Sequence, residues 1–159
     1  MDQKRVIQSS YLNVIYKVDE YTKVVDDAVK IAMDVRCQHM FDTIAFSGHS
    51  GSAIAYPLSY RMGIPLICVR KSGENSHFVK ENPKLLEGHM TTKKYVIVDD
   101  FISSGDTVRR MLKTIKDNLP NAECVGMIMF KIRDRDNFTK AQSLFNGIPI
   151  YGSLISAEF

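Results

Sequence analysis

The chain has 159 residues, 45% apolar and 25% charged, which suits one domain with a real core and leaves little room for a second. Its net charge of +3 is too small to argue for a nucleic-acid partner, but suits an anionic small molecule. No apolar run reaches bilayer-spanning length and the first residues lead into no secretory apolar core, so no membrane partner and a cytoplasmic setting are expected.

The three cysteines, Cys37, Cys68 and Cys124, are odd in number and widely spaced. They read as reduced thiols in apolar surroundings. Neither they nor the four histidines show metal-ligand spacing, which argues against zinc.

In chain order, residues 21–37 place Val24, Val25, Ala28, Val29, Ile31, Ala32 and Val35 on one broad helical face. Residues 43–46 form a short apolar strand that stops at Ser47-Gly48-His49-Ser50-Gly51, read as a glycine-bearing loop. Residues 52–62 predict a helix that Pro57 should kink or delay, with Gly63 as its stop. Residues 65–69 predict the next strand. Residues 70–92 are polar, carry two glycines and lack periodicity, and a loop that long is often functional.

Residues 95–98 predict a buried strand ending at Asp99-Asp100. Residues 107–119 predict a helix with Val108, Met111, Leu112, Ile115 and Leu119 on one face; Arg109, Arg110, Lys113 and Lys116 fall on its outer, solvated face. Residues 125–130 predict a further strand, 133–146 an irregular or weakly helical stretch, and 148–155 a last strand. Continuously apolar strands alternating with helices imply an α/β fold, a parallel sheet wound on both faces. Ligands bind beyond the carboxyl ends of such strands. That gathers the segments 47–51, 70–92 and 99–107 towards one edge.

Two adjacent carboxylates are costly to bury at a strand end unless they face hydroxyls, a hydrated cation or a basic neighbour. The following Ser103-Ser104-Gly105-Asp106-Thr107 opens a helix, where backbone N–H groups and hydroxyls suit a phosphate. Ribose 5-phosphate has that layout: a diol at one end and a phosphate at the other. An acidic strand end followed by an ordinary Ser/Thr cap is the simpler alternative.

The segment 96–107 resembles the signature of type I phosphoribosyltransferases, and residues 51–71 are similar to the adenine branch. The resemblance covers roughly residues 40–130. It implies a single domain over 1–159, with hood elements at about 1–20 and 131–159 and a mobile loop at about 72–92. It implies phosphoribosyl pyrophosphate and a nucleobase as substrates, Mg²⁺ as cofactor, and a homodimer. Asp99 and Asp100 would hold the ribose hydroxyls directly or through magnesium-bound water. Ser103, Ser104, Gly105, Asp106 and Thr107 would wrap the 5-phosphate. Gly48, His49, Ser50 and Gly51 would face the pyrophosphate with Arg70 and Lys71, and His77 would lie in the lid.

Lys131 reads either as a donor to a purine oxygen or as a solvated strand-end lysine. Tyr151 reads either as base stacking or as packing. Ser103 stands where 6-oxopurine enzymes of the family carry an aspartate. Ser50 replaces a basic residue usual in the adenine branch. Asp106 sets a carboxylate in a phosphate loop, so it must point outward if that loop binds a dianion. The reading favours an adenine-like purine over orotate. Its rivals are a non-catalytic sensor of the same fold and a generic nucleotide-binding domain; the latter lacks the Gly-Lys-Ser/Thr phosphate-loop ending.

Overall fold

A computed structural model describes residues 13–71, 85–132 and 135–154. After a 3₁₀ turn at Asn13–Tyr16, α1 (Val18–His39) leads into β1 (Thr43–Phe46), α2 (Gly48–Met62) and β2 (Leu66–Val69). The chain continues through β3 (Leu86–Gly88), β4 (Lys94–Asp99) and α3 (Asp106–Asn118). β5 (Glu123–Ile132), α4 (Arg135–Leu144) and β6 (Ile150–Leu154) complete it.

The strands form one sheet in the order β3-β2-β1-β4-β5-β6. β2, β1, β4, β5 and β6 pair in parallel, and β3 is antiparallel to β2 at the edge. Period-two alternation sends Ile44, Phe46, Val96, Val98, Ile128 and Phe130 to a core shared with α1 and α2. Ala45, Ile67, Ile97, Met127 and Met129 face the other core, with Val108, Met111 and Ile115 of α3 and Ala141 of α4. Helices thus cover both faces, as the apolar strands imply.

From β1 the chain passes through α2 to β2 on one side, and from β4 through α3 to β5 on the other. β1 and β4 are neighbours, so the strand order switches direction between them. Their carboxyl ends flank the crevice where such sheets bind ligands.

Two expectations change, and of the two alternatives for residues 133–146 the helical one holds. Residues 48–51 are the first turn of α2 and not a loop. Residues 86–88, read as loop, form β3: Ile67 pairs with Gly88 and Val69 with Leu86. Residues 135–144 are a helix, seated on the second core by Phe138, Ala141 and Leu144.

Pro57 lies inside α2 without ending it. Its missing N–H leaves the carbonyl of Ala53 without the usual helical donor. The hydroxyl of Tyr21 on α1 donates to that carbonyl instead.

Candidate active site

Three segments meet beyond β1 and β4 around a cavity of about 350 Å³. It is lined by residues 47–50 at the start of α2, Lys71 after β2, and the continuous run 99–108 from the end of β4 into α3. Hence Gly48, His49, Ser50, Lys71, Asp99, Asp100, Ser103, Ser104, Gly105, Asp106 and Thr107 come together as the sequence suggests.

Both acids are buried, Asp99 5% and Asp100 6% exposed. Asp99 Oδ1 accepts a hydrogen bond from Ser50 Oγ at 3.0 Å and from the N–H of Asp100 at 2.9 Å. Asp100 Oδ1 accepts from the N–H of Phe101 at 2.8 Å. No Lys or Arg among the described residues pairs with either acid. Burial, and then the charge of Asp100, push the Asp99 carboxyl up to about 7, against the lowering effect of the Asp100 N–H and Ser50 bonds. An acid pair buried with no cation among the described residues fits a divalent cation or a diol. No group of three or more His, Cys, Asp or Glu fit to hold a metal occurs among the described residues. This donor set suits a magnesium ion that takes its other ligands from water and substrate phosphates.

Two helix N-termini open onto the same cavity. Ser47 precedes α2 and Gly105 precedes α3; neither N-cap residue caps its helix through a side chain, although Ser104 Oγ accepts from the Asp106 N–H at 3.3 Å. The other first-turn N–H groups keep donor capacity and the positive end of the helix dipole for an anion. Gly105 has φ +85°, and a Cβ there would come 2.9 Å from Phe145 Cζ, so the turn into α3 needs glycine on both counts.

Asp106 does point outward. It is 83% exposed and pairs with Arg109 at 3.0 Å, while its other oxygen accepts from Ser104 Oγ at 2.8 Å. Arg109 also donates to the Ser104 carbonyl and lies over the Phe145 ring, 5.6 Å from its centroid. The loop carboxylate is thus neutralised locally.

Other expected residues lie elsewhere. Arg70 does not line the cavity: its Nη2 and Nε each reach a Glu87 oxygen at 2.9 Å, joining β2 to the edge strand. Gly51 is buried below the cavity, where a Cβ would lie 3.1 Å from the Val98 carbonyl oxygen, so its role is close packing of α2 on β4. Lys131 lies on β5, outside the lining, with its backbone N–H on the Asp100 carbonyl at 2.8 Å. Tyr151 packs over Gly126 beside the first core. His77 and most of the 72–92 loop lie outside the described residues.

Arg110 was not legible as part of this region. The expected solvated side chain is half-buried and donates from Nη2 to Ser47 Oγ at 2.8 Å. Phe101 and Ile102 also line the cavity, and only their position between the acids and the turn could have marked them.

A curated adenine phosphoribosyltransferase of Butyrivibrio fibrisolvens is 25% identical over 116 residues, 66% of this chain. The match spans 62% of that relative's length. Among solved structures, adenine phosphoribosyltransferase from Thermoanaerobacter pseudethanolicus superposes with a TM-score of 0.67 at 21% identity, covering 89% of this chain and 83% of that one. Orotate phosphoribosyltransferase of Mycobacterium tuberculosis, in complex with 5-phospho-α-D-ribosyl 1-diphosphate, gives 0.66 at 13% identity, covering 93% and 80%. At these identities the structural likenesses establish the fold. The model of the phosphoribosyl transferase domain matches residues 43–137. That stretch runs from β1 through both helix starts and the acid pair, and by it the chain belongs to the phosphoribosyl transferase domain family.

Proposed function

We propose that this protein transfers a 5-phosphoribosyl group from phosphoribosyl pyrophosphate to a nitrogenous base, with an adenine-like purine favoured over orotate. The carrying observation is one cavity onto which two helix N-termini open, with two buried acids lining it between them. A phosphate at each end and a diol in the middle match that order. The adenine lean rests on the Butyrivibrio relative.

In this reading the N–H groups and hydroxyls of residues 103–107 hold the 5-phosphate. Asp99 and Asp100 orient the ribose hydroxyls. Residues 48–50 and Lys71 face the pyrophosphate, and Lys71 opposes the charge that grows on it as it departs. The bond from ribose C1 to the pyrophosphate oxygen breaks, and the electron pair leaves with pyrophosphate. A bond from C1 to a base nitrogen forms, and the base gives up its N–H proton to solvent. Asp99 and Asp100 would hold Mg²⁺, which when bound supplies further positive charge to the leaving group. A homodimer in a cytoplasmic setting completes the reading.

The test is a screen of free bases with phosphoribosyl pyrophosphate and Mg²⁺, read as nucleotide product by mass. The reading predicts a nucleotide from adenine or a close analogue. Product from orotate alone would replace the purine assignment. Tight binding of phosphoribosyl pyrophosphate without product from any base would replace the enzyme with a sensor of the same fold.

A further inference from the structure

Ser47 occupies the N-cap position of α2, with extended backbone at φ −145° and ψ 139°. A serine there ordinarily turns its hydroxyl oxygen onto the second or third N–H of its helix. Ser47 does not, and no side-chain bond caps α2. Its Oγ instead accepts the 2.8 Å hydrogen bond from Arg110 Nη2, which reaches across from α3. Ser47 is 3% exposed and lines the cavity. The Nε of Arg110 is buried and has no hydrogen-bond partner among the described residues. No carboxylate among the described residues forms an ion pair with Arg110.

These facts have a chemical consequence. A guanidinium only donates, so a hydroxyl bonded to it must send its own proton elsewhere. The Arg110 bond occupies one of the two lone pairs of Ser47 Oγ, and no side chain caps the first-turn N–H groups of α2. A half-buried cation with no carboxylate partner among the described residues thus sits against the N-cap of α2. On the other flank Lys71 reaches over Gly48, its Cε 3.8 Å from where a Cβ on that glycine would sit.

We infer that Arg110 is a positioning residue for the pyrophosphate end of the site: it draws Ser47 out of its capping role and supplies the counter-charge behind the α2 amides. The inference rests on the phosphoribosyl-transfer reading and adds to it a specificity for the diphosphate over the monophosphate end. The 5-phosphate turn at residues 103–107 makes no use of Arg110. There Arg109 contacts Ser104 and Asp106.

The experiment is calorimetry of the full chain with inorganic pyrophosphate plus Mg²⁺, and separately with ribose 5-phosphate. It compares the wild type with Arg110→Gln, Arg110→Lys and Ser47→Ala. Loss of a charge-assisted contact predicts that Arg110→Gln weakens pyrophosphate binding at least about tenfold. Ribose 5-phosphate affinity should stay within about twofold, and the ligand-free thermal midpoint should be nearly unchanged. Arg110→Lys should recover part of the loss, and turnover should show a raised KM for phosphoribosyl pyrophosphate with the KM for the base unmoved. In Ser47→Ala, adding Arg110→Gln should cost less than it does alone, because the two act through one another. Equal pyrophosphate affinity in wild type and Arg110→Gln would overturn the inference while leaving phosphoribosyl transfer intact. A parallel loss of both ligands with a lowered thermal midpoint would also overturn it, marking a merely structural arginine. A wild type that binds neither pyrophosphate nor phosphoribosyl pyrophosphate would overturn the transfer reading itself, and this inference with it.

Discussion

Ser50 Oγ donates to Asp99 Oδ1 across 3.0 Å, tying the first turn of α2 to the end of β4. The bond favours the charged carboxylate, yet burial and Asp100 outweigh it and hold Asp99 at about 7, above its ordinary 3.8. The folded chain therefore binds more protons than the unfolded chain between these values. The associated stability is fully present below about 4 and is lost as pH rises through about 7. Asp99→Asn removes this titration. Relative to that variant, the ligand-free wild type should lose stability on the order of 4 kcal/mol between pH 4 and pH 8. Denaturant midpoints at pH 4 and 8 check this. Equal pH slopes in the two proteins would contradict it.

Arg109 and Ser104 both bind Asp106, so in the proposed reading Asp106 sets a carboxylate charge and a competing acceptor beside the 5-phosphate turn. Its exposure limits the effect to screened, surface-type electrostatics. Asp106→Asn should tighten ribose 5-phosphate binding by about two- to fivefold. Titration at low and high salt measures this, with the gain shrinking at high salt. Weaker binding would mean that the carboxylate organises the turn instead of opposing the ligand.

The fit of Tyr21 to Ala53 depends on Pro57. Tyr21→Phe leaves the Ala53 carbonyl without either donor and should cost about 1 kcal/mol. Pro57→Ala restores the helical N–H, so in that background the tyrosine substitution should cost much less. A double-mutant cycle on thermal or urea midpoints decides it. The same cost in both backgrounds would remove the link between the proline and the tyrosine.

Gly88 sits at φ +119°, and a Cβ there would lie 2.1 Å from the Leu66 carbonyl oxygen. Gly88→Ala must push β3 off β2 and should destabilise the chain by about 2–4 kcal/mol. It should also loosen the Arg70–Glu87 pair, because Glu87 faces Cys68 in the same ladder. An unchanged urea midpoint would show that β3 is not held against β2 as described.

Much of this architecture was legible because the inner strands are continuously apolar and α3 presents one apolar face, signals that survive without tertiary context. The acid pair and the small-residue turn were legible for the same reason: they sit in one unbroken stretch. The misses share the opposite property. β3 is three residues, Leu86–Gly88, too short for a period, and exists by pairing with β2. Residues 48–51 carry two glycines and look like a loop, though the N-terminus of α2, open to the cavity, begins there. Pro57 was expected to kink α2 or delay its start, yet α2 begins at Gly48, and a tyrosine 36 positions earlier offsets the proline's missing donor. Arg110 meets Ser47 across 63 positions, so a helical-face argument could only send it to solvent. The base-contacting hood expected at residues 1–20 falls largely outside the described residues.

The most direct test is calorimetric binding of phosphoribosyl pyrophosphate with Mg²⁺ to the wild type and to the Asp99→Asn, Asp100→Asn double variant, alongside nucleotide formation. The account predicts a folded double variant, by circular dichroism and cooperative melting, that makes no nucleotide and binds the ligand at least about a hundredfold more weakly. Wild-type-like binding and turnover in that variant would contradict it.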